Sequence, residues 1–136
     1  MNPVVRGILA VIVGVAAATA INMGIITVGN ILIPPPAGVD LSTMEKMQET
    51  MHLFGVQHFI TPFLAHALGT LSGALLASLI AASHKLKFAL GIAVFSLIGG
   101  IAAVYLLPAP LWFEAFDLIF AYIPMGWLGW KLSGGN

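Results

Sequence analysis

The chain contains no cysteine and very little charge. Of its 136 residues, only 7% are Asp, Glu, Lys or Arg, and the formal net charge is zero. The lack of cysteine excludes disulfide bonds, thiolate catalysis, iron–sulfur clusters and cysteine-ligated zinc. A soluble domain carries roughly a quarter charged residues, so this chain cannot cover its surface with polar groups. A net charge of zero gives no reason to expect a nucleic-acid partner.

Long apolar runs take the place of the missing charge. The composition is 60% hydrophobic, and the mean hydropathy is +1.03. About 20 apolar residues in a helix cross a bilayer core of roughly 30 Å. The sequence therefore predicts an all-α fold, an integral membrane bundle of four transmembrane helices that forms a single domain over residues 1–136. The predicted spans are residues 4–32, 58–83, 88–107 and 111–132.

The longest connection lies between the first two spans, over residues 33–57. Three prolines at 34–36 end the first span, because proline lacks the N–H that a helix needs. Further along, Ser42 and Glu45 have the spacing of a capping box. Apolar side chains then recur at helical spacing, at Leu41, Met44, Met47, Met51 and Phe54. The pattern predicts a short amphipathic helix at about 42–54, on the membrane surface or on the bundle.

Small residues recur along the spans, and such residues let two helices approach backbone to backbone. We expect helix packing at Gly14, Ala18, Gly69, Gly73, Ala77, Gly99 and Gly100. The pattern does not distinguish packing within one chain from packing between copies. The expected partners are therefore the lipid bilayer together with either further copies of this chain, in a homo-oligomer, or the other subunits of a membrane complex.

A few ionisable and polar side chains lie inside the apolar spans. A charged group at mid-depth costs roughly 2.5–3.5 kcal/mol on insertion scales, and it usually faces the bundle interior or a wet cavity. Glu114 and Asp117 share one face of the last span, because residues three apart on a helix are neighbours. We expect one outward-facing polar site for a ligand or a proton, formed by His66, Asp117, Glu114 and Asn22, with His58 at its mouth.

The same side chains have simpler interpretations, which the sequence leaves open. His66 can bond a backbone carbonyl or a serine of a neighbouring helix, and Asp117 can pair with His66 only to fix the helix register. Asn22 can join two helices, and Glu114 can reach headgroup water. A divalent metal ion held by His66, Asp117 and Glu114 is a further possibility, because imidazole and carboxylate both ligate zinc. The spacing matches no recognised metal motif.

Three functions are compatible with these residues. The first is a small membrane protein that binds or conducts a cation or a proton at the polar site. The second is a non-catalytic accessory or structural subunit of a membrane complex. The third is an intramembrane metal-dependent hydrolase. No catalytic residue can be assigned, because no serine in the spans has a Gly-x-Ser-x-Gly context. We therefore favour a protein that is not an enzyme.

Basic residues predict the orientation. An inside N-terminus puts four of the five basic residues on the cytoplasmic side and leaves only Lys46 outside, which satisfies the positive-inside rule. The four are Arg6, Lys85, Lys87 and Lys131. Both termini are then cytoplasmic. The first apolar run is too long for the core of a signal peptide, so we expect it to be a retained span.

Three short motifs resemble those of small four-span membrane proteins of bacteria. They are Pro62-Phe-Leu-Ala-His66-Ala-Leu-Gly69-Thr, Ser83-His-Lys85 and Tyr122-Ile-Pro-Met-Gly126-Trp. The resemblance covers most of the chain and implies a four-helix architecture in a bacterial inner membrane. It implies no activity, substrate or catalytic residue.

Overall fold

A computed structural model describes residues 1–107 and 109–136 of the protein. All regular secondary structure in these ranges is helical, as the sequence predicts. Four helical segments are long and apolar enough to cross a membrane: Pro3–Leu32, Val56–Ile80, Lys85–Leu106 and Leu111–Leu132. The protein is therefore an all-α membrane protein.

The described residues form six α-helices and two short 3₁₀ turns. The α-helices are α1 (Pro3–Leu32), α2 (Met44–Thr50), α3 (Ile60–Ile80), α4 (Lys85–Leu106), α5 (Leu111–Phe120) and α6 (Ile123–Leu132), and the 3₁₀ turns are Met51–Leu53 and Val56–Phe59. The long helices alternate in direction. We call the end of the bundle that carries the 33–59 connection the loop end, and the opposite end, with both termini and the 81–84 turn, the terminal end.

Helix α3 is central and packs against α1, α4 and α6. Glycine permits its closest approach to α1. A Cβ added to Gly73 would lie 2.5 Å from the carbonyl oxygen of Gly14 and 2.8 Å from Cβ of Ala18. One added to Gly69 would lie 2.8 Å from the carbonyl oxygen of Ala18. The two backbones are therefore in direct contact along this stripe.

The other small residues differ in whether they contact another helix. Ala77 is fully buried, and a Cβ on Gly100 would overlap the side chain of Tyr122. Gly99 is exposed, and a Cβ there would meet no atom within 4 Å, so it makes no close contact with another helix among the described residues. The reason is its direction, since consecutive residues on a helix point about 100° apart and Gly100 takes the inward position. Its packing between copies of the chain stays a prediction.

The fourth span is interrupted rather than continuous. Helix α5 ends at Phe120, and α6 begins at Ile123 with Pro124 in its first turn. Proline is tolerated there because the first N–H groups of a helix have no partner inside it. Tyr122 lies in the break and is 2% exposed. The fourth span therefore consists of two helices rather than one kinked helix.

The short helix α2 begins later than the capping box predicts. Its N-cap is Thr43, whose hydroxyl accepts a hydrogen bond from the backbone N–H of Lys46 at 3.2 Å. Ser42 does not cap the helix, because the helix begins at Met44 and Thr43 takes the N-cap position; the N–H of Ser42 instead donates to the carboxylate of Asp40 at 2.9 Å. The side-chain amide of Gln48 donates to the carbonyl of Leu106, which ties α2 to the end of α4.

Basic side chains mark the terminal end. Nε of Arg6 donates to the carbonyl of Ile80 at 2.8 Å, and this bond satisfies one of the free carbonyls at the end of α3. Nζ of Lys131 lies 5.8 and 5.1 Å from the ring centres of Trp127 and Trp130, a cation–π arrangement. The turn to α4 passes through His84, whose φ of 52° is left-handed.

Candidate functional site

The carboxylate of Asp117 lies inside the bundle, two turns from the start of α5. The residue is 5% exposed. Nδ1 of His66, on α3, lies 2.9 Å from Oδ1 and 3.0 Å from Oδ2 of Asp117. Two ionisable groups from different helices are therefore in direct contact at membrane depth.

Tyr122 completes the arrangement around the carboxylate. Its hydroxyl donates to Oδ2 of Asp117 at 2.8 Å, and its ring lies 5.8 Å from the ring of His66 at an interplanar angle of 29°. The ring fits because Gly100 on α4 has no side chain at this point. The break between α5 and α6 turns the phenol back toward the carboxylate. The carboxylate of Asp117 thus accepts hydrogen bonds from both His66 and Tyr122, and the three side chains pack together.

These contacts define the chemistry of the site. The carboxylate accepts from both the imidazole and the phenol, so the imidazole carries its hydrogen on Nδ1. Nε2 is then free to accept a hydrogen bond, or to donate one when the ring is protonated. Buried charge in an apolar span requires this kind of partnership. The hydrogen bond between Nδ1 and Asp117 is therefore compatible with either a neutral or a protonated ring.

Two cavities meet at His66. The first, at the loop end, has a volume of about 230 Å³ and is lined by Met51, Glu114 and Asp117 among others. The second, of about 440 Å³, is a crevice between α1 and α4. His66 and Gly100 line both cavities. The imidazole therefore lies on the wall of both the cavity next to the 33–59 connection and the crevice between α1 and α4.

The sequence-predicted site residues are only partly brought together. His66 and Asp117 are in contact, and Glu114 lines the loop-end cavity with them. Asn22 lines the crevice, on the other side of His66. His58 lies apart, since its Nδ1 accepts from the N–H of Gly55 at 2.8 Å and its ring meets Phe54 edge-on. His58 thus closes a local turn at the start of the second span.

The structure offers little support for the metal set of His66, Asp117 and Glu114. Within residues 1–107 and 109–136, no group of three His, Asp or Glu side chains is arranged to hold a metal ion. Zinc sites generally need at least three protein ligands. One oxygen of Asp117 is already bound to the phenol of Tyr122. The metal site stays a prediction.

Sequence reasoning missed two members of the site. Tyr122 follows Asp117 by five residues, and a phenol in a membrane span needs a hydrogen-bond partner, so this carboxylate was a reasonable candidate. Thr70 follows His66 by four residues and therefore lies on the same helix face. Thr70 is 1% exposed and lines the crevice. The sequence spacing pointed to both residues. They were missed because a search for side chains that ionise near neutral pH passes over a phenol and an aliphatic hydroxyl.

Comparisons of the chain with protein-family models, with curated proteins and with solved structures found no match. The family resemblance therefore stays a prediction, although the four-helix architecture that it implies is present. The function has to be inferred from the residues of this chain.

Proposed function

We propose that this membrane protein binds and exchanges a proton at the pair formed by Asp117 and His66. The observation that carries the proposal is the position of Nδ1 of His66, 2.9 and 3.0 Å from the two oxygens of a buried carboxylate. A carboxylate and an imidazolium together have no net charge, whereas loss of one proton leaves a single negative charge. In an apolar span the state with a net charge has a much higher free energy than the neutral state. The pair therefore favours the binding of a proton.

The surroundings support a proton rather than a larger cation. A cation the size of Na⁺ or Ca²⁺ takes several oxygen ligands at once. At this site, Asp117 supplies the only carboxylate bonded to His66, and its Oδ2 accepts from Tyr122. A proton needs only the two groups already in contact.

The two cavities supply a way for the proton to reach and leave the pair. Asp117 and Glu114 line the loop-end cavity, while Asn22 and Thr70 line the crevice. His66 lines both, so rotation or protonation of one imidazole connects them. For a proton to cross the whole membrane, its path must continue from the crevice to the terminal end. Four short helices rarely enclose a full path, and we therefore propose that passage would require a homo-oligomer.

We further propose that the loop end faces outward from a bacterial inner membrane and that both termini are cytoplasmic. Arg6, Lys85, Lys87 and Lys131 all lie at the terminal end, in agreement with the positive-inside rule. The absence of cysteine makes the test simple. A membrane-impermeant maleimide applied to intact cells should label a Ser42→Cys variant and leave a Ser133→Cys variant unlabelled.

The proton site is tested by the pH dependence of thermal stability in detergent. For the wild type, we expect the unfolding midpoint to change between about pH 5 and about pH 8, the range in which imidazole usually titrates. The Asp117→Asn and His66→Gln variants should lose most of this change. The Glu49→Gln variant, which removes an exposed carboxylate of α2, should keep it. A wild-type midpoint that is the same at both pH values contradicts the proposal.

The alternative roles stay predictions. An accessory subunit would co-purify with a partner at a fixed ratio, and its stability would not depend on Asp117 and pH together. A metal-dependent hydrolase would need a metal site, for which the described residues provide no group of three ligands.

A further inference from the structure

The terminal end of the bundle carries four of the five Lys and Arg side chains and no acidic side chain to balance them. The acidic residues all lie in the 33–59 connection or in α5, and they are Asp40, Glu45, Glu49, Glu114 and Asp117. Lys85 and Lys87 lie in the first turn of α4, directly after His84. In the part of the chain that the structure describes, neither lysine forms an ion pair. This end of the protein therefore favours an anionic partner.

The first turn of α4 forms a pocket, which we call the basic pocket. It has a volume of about 360 Å³ and is lined by His84, Lys87 and Phe88. Oγ of Ser83 lies 3.0 Å from Nδ1 of His84, so Nε2 is the ring nitrogen that remains for a ligand. No described side chain caps the N-terminus of α4, whose first N–H groups have no partner inside the helix. A lysine, an imidazole and a helix N-terminus together provide donors and positive charge for a phosphate group.

An apolar groove continues from the basic pocket, and we call it the terminal groove. It has a volume of about 620 Å³ and runs between the first turns of α1 and residues 82–88. His84 and Phe88 line both the groove and the pocket. The ring of Phe88 lies close to α1 because Gly7 has no side chain, since a Cβ there would be 3.2 Å from Cζ of Phe88. The groove and the pocket therefore form one continuous surface, apolar along α1 and basic at its end.

The terminal groove opens onto the lipid-facing surface of α1. Val4, Ile8 and Ile12 line it, and each is more than half exposed. The rise from Val4 to Ile12 is about 12 Å at about 1.5 Å per residue. One leaflet accounts for half of a hydrocarbon core of roughly 30 Å, so the groove extends over most of a leaflet. An acyl chain of that leaflet therefore fits along the groove with its head group at the basic pocket.

We propose that the basic pocket and the terminal groove together bind one anionic phospholipid. Nζ of Lys87 and Nε2 of His84 donate to its phosphate, and one acyl chain lies along α1 beside Phe88. The positive charge selects a lipid with net negative charge, such as phosphatidylglycerol, over a zwitterionic one. The groove selects a lipid over free phosphate, because only a lipid buries an apolar chain there. The proposal does not depend on the proton site, which lies on α3 and α5.

The test uses the full chain in a nonionic detergent, in which no charged bilayer surface attracts the probe. The probe is dioleoylphosphatidylglycerol, and binding is measured as the rise in unfolding midpoint with its concentration. We expect saturable stabilisation. Dioleoylphosphatidylcholine has the same acyl chains without the net charge, and its half-saturating concentration should be at least about fivefold higher. Glycerol phosphate, which lacks the acyl chains, should give no rise at the same concentrations.

Lys87→Gln removes the charge of the basic pocket. It should weaken the binding of dioleoylphosphatidylglycerol about tenfold, as expected for the loss of one charge-assisted hydrogen bond. The matched control is Lys131→Gln, which removes the same charge at the same end of the bundle. Lys131 lies over the rings of Trp127 and Trp130 and lines neither the groove nor the pocket, so its loss should leave the affinity unchanged. Equal weakening by the two substitutions would mean that net charge alone attracts the lipid, and it would overturn the proposal.

His84→Gly separates binding from folding. His84 has a φ of 52°, which glycine adopts without strain, so this variant should be as stable as the wild type or more stable without lipid. Its affinity for dioleoylphosphatidylglycerol should fall, because the imidazole donor is gone. A wild-type affinity in either Lys87→Gln or His84→Gly would overturn the proposed site. Equal stabilisation by dioleoylphosphatidylcholine or by glycerol phosphate would overturn the assignment to an anionic phospholipid.

Discussion

Nδ1 of His66 lies 2.9 Å from Oδ1 of Asp117, although the two residues are 51 positions apart in the sequence. The contact joins α3 to α5 and lies inside a bundle whose buried residues are mostly apolar. The hydroxyl of Tyr122 donates to the second oxygen of the same carboxylate. This group of three side chains is the polar centre of the molecule.

The contribution of Tyr122 is tested by Tyr122→Phe, which keeps the ring and removes the hydroxyl. Oδ2 of Asp117 then loses a donor in a buried site. A buried acceptor left unpaired costs about 1–3 kcal/mol, so we expect the unfolding free energy in detergent to fall by that amount. The measurement is reversible denaturation followed by circular dichroism.

The chain contains only two tyrosines, and the second provides the control. Tyr105 is 85% exposed, so Tyr105→Phe should change the unfolding free energy by less than about 0.5 kcal/mol. Equal effects of the two substitutions would show that the hydrogen bond to Asp117 contributes nothing specific.

Gly73→Ala tests the close packing of α1 and α3. The new Cβ would lie 2.5 Å from the carbonyl oxygen of Gly14, so the helices must separate. We expect a loss of about 1–3 kcal/mol, typical of overpacking. Gly91→Ala is the control, because a Cβ there meets nothing within 4 Å and alanine favours a helix by about 0.5–1 kcal/mol. A Gly73→Ala variant as stable as Gly91→Ala would contradict the observed packing.

Asp40 should titrate with a pKa below its ordinary value. Hydrogen bonds from Ser42, with a further one from Lys46, hold the pKa of its carboxyl below the ordinary value of 3.8. A lowered pKa means that the contribution of Asp40 to the folded loop is present above the unfolded pKa and is lost as the pH falls through the folded pKa. In an NMR acid titration, Ser42→Ala should raise the pKa of Asp40, and Ser83→Ala should leave it unchanged. No rise in Ser42→Ala would show that the hydroxyl of Ser42 does not lower this pKa.

Gln48 should control the attachment of α2 to the bundle. Its amide donates to the carbonyl of Leu106. We expect Gln48→Ala to speed amide hydrogen exchange in α2 by about tenfold, as loss of one hydrogen bond implies, with no change in α3. Glu49→Ala, an exposed neighbour, is the control. Unchanged exchange in Gln48→Ala would mean that other contacts hold α2.

Hydropathy was sufficient to predict the fold. Residues 3–32 and 85–106 carry apolar side chains on all faces with few polar ones, a composition typical of a membrane-spanning helix. The pairing of His66 with Asp117 was also accessible, because ionisable groups in apolar spans tend to face one another. The sequence interpretation offered this pair as one of several possibilities, and the structure shows the contact.

Three other features could not be predicted from the sequence, for physical reasons. Gly99 and Gly100 look equivalent in the sequence, and only the rotation of α4 decides that Gly100 faces Tyr122. The break at Tyr122 depends on tertiary contacts, since Pro124 alone is compatible with either a kink or a new helix start. The free hydroxyl of Thr70 could not be foreseen, because helical threonines often bond their own backbone.

The central claim is that Asp117 and His66 exchange a proton inside the membrane. The most direct measurement is the infrared difference spectrum of the full chain in nanodiscs between about pH 5 and about pH 8, recorded for the wild type, Asp117→Asn and Glu49→Gln. The account predicts an imidazole difference band of His66 and a shift of the carboxylate band of Asp117 in the wild type and in Glu49→Gln, and the loss of that carboxylate shift together with a displaced imidazole band in Asp117→Asn. Wild-type bands that persist unchanged in Asp117→Asn would contradict it.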